Sequence, residues 1–187
     1  MIIYVNGSTH TMAAEAVTPF IVAKDDPEVT QLGSIPHPDN LAVSWSKVLS
    51  LSLRAGLQCS AVGDNTIDRI IDDTRKWTKN QRTGNIIIIE WADINADDEE
   101  KIWQLHQELN QQQFKHIFFN GNTACTNSSH DWGSSYITPF DVNGTYERRM
   151  QIANFETVTP TSKHFGRDGH AFWSRFLINY IISQKLV

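Results

Sequence analysis

Short runs of apolar residues alternate along this chain with stretches in which apolar residues return every three or four positions. That alternation is the signature of βαβ units around a parallel sheet. The runs predict strands at Ile2 to Val5, Leu57 to Ala61, Ile86 to Trp91 and His116 to Phe119, with a weaker fifth at Phe155 to Val158. Ile86-Ile87-Ile88-Ile89 has no polar alternation, so both of its faces are expected to be buried and it is placed at the sheet centre. Helical periods run over Leu41 to Arg54, Thr66 to Lys79, Asp98 to Gln112, Tyr146 to Asn154 and Gly169 to Ser183. Ile67, Ile70, Ile71 and Thr74 share one face at i, i+3, i+4 and i+7, and the last helix carries an aromatic and aliphatic stripe through Trp173, Leu177 and Ile181. Asp39, Asp64 or Asn65, and Asp97 are the expected N-caps, and Gly56 and Gly84 the expected helix stops.

These elements predict a three-layer α/β/α sandwich with a parallel sheet of about five strands and flavodoxin-like topology. No internal repeat, low-complexity tract or linker composition divides the chain, so residues 1–187 are expected to form one domain. At 187 residues and 40% hydrophobic, such a domain buries roughly 70% of its unfolded surface and needs no disulfide or metal for stability. The net charge of −5 with no run of Lys or Arg beyond two residues gives no electrostatic footprint for nucleic acid. No apolar stretch approaches the ~18 residues of a membrane span, and Met1-Ile2-Ile3-Tyr4 has no basic signal region, so a cytoplasmic protein without a membrane partner is expected. Cys59 and Cys125 form no framework of paired spacings and are expected to be free thiols. Oligomeric state is left open.

Two irregular regions, Thr11 to Pro38 and Gly121 to Asn143, exceed ordinary loop length. Each follows a strand, so both should flank the crevice beyond the carboxyl ends of the strands, where open α/β sheets bind ligands. Two polar segments carry the candidate chemistry at that rim. Asn6-Gly7-Ser8-Thr9-His10-Thr11 follows the first strand, and Gly7 permits a tight turn from which Ser8 and Thr9 hydroxyls project. A hydroxyl there can act as a nucleophile if a base is within reach, and can equally serve as a cap. Ser162-Lys163-His164-Phe165-Gly166-Arg167-Asp168-Gly169-His170 opens the last helix, with His164 in a glycine-bearing loop that suits a general base. Asp168 suits the helix N-terminus, and His170 either orients the loop or packs in the core.

Taken together, these blocks resemble the SGNH or GDSL-type hydrolases, specifically the small SGNH-like proteins of phages and bacteria. Asn6-Gly7-Ser8-Thr9-His10-Thr11 is similar to a first block written N-G-x-S-H-T, and Thr161-Ser162-Lys163-His164 followed by Gly169-His170 and Trp173 is similar to the closing block. The resemblance spans the chain and implies an oxyanion-hole N–H at Gly63 and a third block at Glu90-Trp91-Ala92-Asp93. It departs from the family at three functional positions: Thr9 stands for the nucleophilic Ser, Thr161 for the triad Asp, and Ala92 for the oxyanion Asn. Asn65, Asn95 or Asn120 could supply the amide donor, and Asp168 or Glu90 could orient His164.

The resemblance implies a hydrolase of small acyl esters, such as an acetyl group on a sugar, needing neither metal nor cofactor. Thr9 or Ser8 would attack, His164 would move the proton, and Gly63 with Asn65 would hold the oxyanion. Trp132, Tyr136 and Phe140 could wall the pocket or anchor their loop. A catalytically inactive SGNH fold that binds a ligand or an assembly partner is the alternative. Two other classes remain open on the residues. The hydroxyl-rich turn after strand one could cradle a flavin phosphate, and His10, His164, Asp168 and His170 could hold zinc. His37, His106, His116 and His130 show no mutual spacing that suggests joint action, and His106 reads as helix packing.

Overall fold

Five strands, β1 (Ile2–Asn6), β2 (Gly56–Cys59), β3 (Ile86–Trp91), β4 (Lys115–Asn120) and β5 (Tyr136–Ile137), form one parallel sheet in the order β2-β1-β3-β4-β5. The structure is a computed structural model and describes residues 1–14, 16–17, 38–63, 65–159 and 164–187. The described helices are α1 (Pro38–Val43), α2 (Trp45–Ser52), α3 (Ile67–Thr78), α4 (Ala96–Gln111), α5 (Tyr146–Ile152) and α6 (Arg167–Ser183).

The period of two along each strand divides the core into two halves. Ile3, Val5, Ile86, Ile88, Ile117 and Phe119 face one way, against Trp45 and Leu49 of α2, Tyr146 and Met150 of α5, and Trp173, Leu177 and Ile181 of α6. Tyr4, Ile87, Ile89 and Phe118 face the other way, against Ile70 and Ile71 of α3 and Ile102, Leu105 and Leu109 of α4. All six residues of β3 are buried, as its unbroken apolar run requires in a strand covered on both faces. The result is the expected three-layer α/β/α sandwich.

The fifth strand differs from expectation. Tyr136–Ile137 pairs with Phe118 and Phe119 from inside the second long loop, whereas residues 155–158 contribute only an isolated antiparallel bridge, Thr157 to Phe165. Two residues are too short to show a period, and their aromatic and aliphatic side chains blend into an aromatic loop. The helix expected over Leu41 to Arg54 is broken at Ser44, whose extended backbone (φ −59°, ψ 152°) ends α1 and whose hydroxyl accepts from Lys47 N–H at 3.1 Å to cap α2. Arg54 (φ 50°) takes the left-handed position after α2, and Gly56 instead opens β2. The caps of α3 and α4 are Thr66 and Asn95, within two residues of those expected, with Asn95 and Asp98 closing a reciprocal capping box. No described helix is long and apolar enough to cross a membrane.

In this strand order the chain leaves β1 toward β2 on one side and returns to β3 on the other, so the topological switch lies between β1 and β3. Their carboxyl ends, Asn6 and Trp91 with the residues that follow, therefore flank the place where the sheet opens a crevice.

Candidate active site

A buried carboxylate occupies that switch point. Glu90 is fully buried near the end of the central strand. Its Oε1 accepts from Ser8 Oγ at 2.9 Å, and its Oε2 accepts from Thr11 Oγ1 at 2.6 Å, Thr11 N–H at 2.8 Å and Ser8 N–H at 3.3 Å. The turn after β1 is thus held by residues on both sides of Thr9. Gly7 (φ +150°) lets the chain pass over Glu90, since a Cβ there would lie 2.7 Å from Glu90 Cβ. Asn6 Oδ1 accepts from Gly7 N–H at 2.8 Å, and Asn65 Nδ2 donates to Asn6 Oδ1 at 3.2 Å and to Gly7 O at 3.0 Å.

Beyond the turn lies a cleft of about 330 Å³, walled by Ser8 and Thr9, the opening of α3 from Asn65 to Asp68, Ala92 and Asp93 after β3, Asp98 of α4, and Asn122 after β4. Thr9 is partly exposed there, and neither its hydroxyl nor its N–H has a hydrogen-bond partner among the described residues. Ser8 differs: it is 6% exposed and its hydroxyl proton is directed into Glu90. Of the two expected nucleophiles, Thr9 is the one free to meet a ligand.

The histidines gather behind the turn. His10, buried, has its Nε2 2.9 Å from the side-chain amide of Asn122, which ties the β1 turn to the loop after β4. The His164 ring lies edge-on to the His10 ring at 5.9 Å between centroids, and Tyr146 lies 4.9 Å from His10 on another side. The bridge from Thr157 to Phe165 and the bond from Val158 N–H to His164 O at 2.8 Å fix the strand-like segment that carries His164. The closing histidine therefore packs against the opening turn through His10, and His164 itself does not line the cleft.

His170 lies deeper. Burial, with the neighbouring charges of His10 and His164, pushes its pKa down to about 3, and its Nδ1 accepts from Trp45 N–H at 3.3 Å. It is a neutral packing residue that joins α6 to α2. Asp168 is exposed in the first turn of α6 and makes no ion pair with His164. Glu90 is committed to Ser8 and Thr11 and does not orient His164. Thr161 lies outside the described residues, as do His37 and Asp64.

The expected amide donors are also reassigned. Asn65 lines the cleft, yet both of its amide hydrogens hold the β1 turn. Asn95 caps α4, and Asn120 bonds Tyr136 Oη and Pro139 O inside the fold. Asn122, which sequence reasoning passed over, is the amide that stands in the cleft; its signal was its place two residues past β4 at the mouth of a long loop. Gly63 follows β2 at the same rim but does not line the cleft. Trp132 and Tyr136 are buried against Phe118 and serve as anchors, and Phe140 is 43% exposed.

Of the turn donors that would cradle a flavin phosphate, the four of Ser8 and Thr11 are bonded to Glu90 and those of Thr9 are not. His10, His164, His170 and Asp168 are not placed to share an ion: among the described residues no group of three or more His, Cys, Asp or Glu could hold a metal. Cys59 and Cys125 are free thiols, and burial pushes both up to about 11, which keeps them protonated and unreactive.

The fold is similar to that of a protein assigned to the lipolytic G-D-S-L family from Desulfitobacterium hafniense DCB-2, with a TM-score of 0.57 and 10% identity over 96% of this chain and 98% of that one. A G-D-S-L family protein from Veillonella parvula DSM 2008 aligns with a TM-score of 0.47 and 11% identity over 98% of this chain and 97% of that one. No protein-family model and no curated protein matches the chain. At these identities the likeness is one of architecture: the chain has an SGNH/GDSL-like fold.

Proposed function

We propose, from this SGNH/GDSL-like fold, that the protein hydrolyses a small acyl ester with Thr9 as nucleophile and His164 as general base. The observation that carries the reading is the state of Thr9: its hydroxyl and N–H are uncommitted at the cleft while its neighbours Ser8 and Thr11 are locked to Glu90. Thr9 Oγ1 would attack the ester carbonyl as His164 takes its proton, and the imidazolium would return that proton to the departing alcohol. The N–H of Thr9, with the side-chain amide of Asn122, would stabilise the oxyanion.

The wall of the cleft favours a hydroxyl-rich alcohol moiety. Asp68, Asp93 and Asp98 offer acceptors and only Ile67 and Ala92 offer apolar surface, which suits an O-acetylated sugar better than a long acyl chain.

A second reading, an SGNH fold that binds without catalysis, is favoured by Ala92 standing in the cleft wall where the resemblance expects an amide donor. Loss of one such donor costs on the order of 100-fold or more in rate. Turnover of p-nitrophenyl acetate separates the two. The hydrolase reading expects saturable hydrolysis that Thr9→Ala and His164→Ala each abolish; equal rates in wild type and both variants would leave only the binding reading.

A further inference from the structure

We infer that the turn after β1 is an anion-binding nest whose resident anion is the chain's own Glu90, and that Glu90 is thereby the positioning residue for Thr9. The catalytic half of this inference rests on the ester-hydrolase reading, whereas the nest does not. A tight turn can gather backbone N–H groups into a concavity that binds an oxyanion, commonly a phosphate, and this one gathers those of Ser8 and Thr11, three residues apart. Here that concavity is filled from within. Glu90 is fully buried and takes part in none of the ion pairs among the described residues. A buried carboxylate in that situation is tolerated only where donors surround it. Those donors are the N–H and O–H of Ser8 and the N–H and O–H of Thr11.

Two glycines shape the seat. A Cβ at Gly7 would stand 3.0 Å from Glu90 Oε2, and one at Gly121 would stand 2.8 Å from Oε1. The carboxylate is enclosed by backbone on two sides and by hydroxyls on others.

The pattern of bonding explains why the carboxylate matters to Thr9 without touching it. It draws the donors of Ser8 and Thr11 inward and leaves those of Thr9, which lines the cleft, without a partner among the described residues. Without the anion, two N–H and two O–H groups would need new acceptors, and the turn would relax around Thr9. A displacement of about 1 Å at a reacting group can cost on the order of 100-fold in rate.

The experiment exploits the size of the lost group. Glu90→Ala removes a fragment the size of acetate, so a small external carboxylate should enter the emptied seat. Formate is expected to raise the melting temperature of Glu90→Ala in a saturable way, and sodium chloride at equal ionic strength is not; the wild type should respond to neither. In p-nitrophenyl acetate hydrolysis, kcat of Glu90→Ala should fall roughly 10- to 100-fold with KM little changed, and formate should restore part of it. Should Glu90→Ala fail to fold even in formate, the isosteric Glu90→Gln decides. It places an NH2 group among the turn's donors, so kcat should fall and the amide proton resonances of Ser8 and Thr11 should move upfield. Formate acting no differently from chloride on a folded Glu90→Ala, or a Glu90→Gln with wild-type kcat and unmoved resonances, would overturn the inference. A wild type that hydrolyses no ester would overturn the hydrolase reading alone, because the melting and resonance measurements still report on the nest.

Discussion

His106 Nδ1 lies 2.9 Å from His116 Nε2 where α4 packs on β4, so the two buried imidazoles share one hydrogen between them. The rest of the chain of bonds fixes its direction. His116 Nδ1–H donates to Phe114 O at 3.0 Å, leaving Nε2 to accept from His106 Nδ1–H, and His106 Nε2 accepts from Asn110 Nδ2 at 2.9 Å. Both rings must be neutral for all three bonds to form.

Acid should therefore weaken the fold. Burial, reinforced by the neighbouring His106, pushes His116 from 6.5 down to about 4, and burial lowers His106 as well. Because the folded value is depressed, the unfolded chain binds the proton first, and stability present above pH 6.5 is lost as pH falls toward about 4. His170, lowered from 6.5 to about 3, adds to the same trend over a wider range that begins at the same pH and extends down to about 3. Urea unfolding at a series of pH values should show stability falling by up to about 1.4 kcal/mol per pH unit for each such histidine. His116→Gln, which keeps an acceptor for His106, should flatten that slope; an unchanged slope would mean that His116 is not the titrating group.

Ser8 and Thr9 are adjacent hydroxyls with opposite fates, and substitution should separate them. Ser8→Ala removes a bond to a buried carboxylate and should cost about 1.5–3 kcal/mol of stability while leaving a nucleophile in place. Thr9→Ala should leave the melting temperature nearly unchanged and abolish hydrolysis. Thr9→Ser, which removes the methyl beside the hydroxyl, should raise kcat, on the order of tenfold if the methyl holds the hydroxyl off its best line of attack. Denaturant melts alongside ester turnover check all three.

Gly121 sits in tight space beside Glu90. A Cβ there would stand 2.8 Å from Glu90 Oε1 and 3.1 Å from Ala92 Cα, against backbone that cannot yield cheaply. Gly121→Ala should cost about 1–3 kcal/mol. Gly84→Ala, with nothing within 4 Å of its Cβ, should change stability by no more than about 0.5 kcal/mol. Equal melting temperatures for the two variants would contradict the packing around Glu90.

A second buried carboxylate holds the loop that carries Asn122. Glu99, 2% exposed, accepts from Thr126 N–H at 2.6 Å, Thr126 Oγ1 at 2.9 Å and Asn127 N–H at 2.7 Å. His130 then stacks on Trp103 at 4.7 Å. Glu99→Ala should raise amide hydrogen exchange across residues 123–132 and leave β3 protected. Uniform loosening of the whole domain would show instead that Glu99 supports the core.

The two polar segments were legible in part. They stood out because each follows or precedes a strongly patterned element, and the structure brings His10 and His164 to 5.9 Å. The part played by Glu90 was not legible, although a carboxylate closing the run Ile86 to Ile89 was the available signal: a buried charge demands donors, and nothing local supplies them. They come from Ser8 and Thr11, some eighty residues away. The pairing of His106 with His116 was hidden for the same reason, since a helix face and a strand face meet there with no shared spacing.

By itself, the order of apolar and polar residues determined the layers of this protein. Periods of two and of 3.6 depend only on local backbone geometry, and they specify which side chains each element must bury. Tertiary structure alone decided which hydroxyl at the cleft stays uncommitted, that Asn122 joins Asn65 in its wall, and that a two-residue segment completes the sheet. Those outcomes depend on hydrogen bonds and contacts between residues distant in the chain, whose energies no local pattern records.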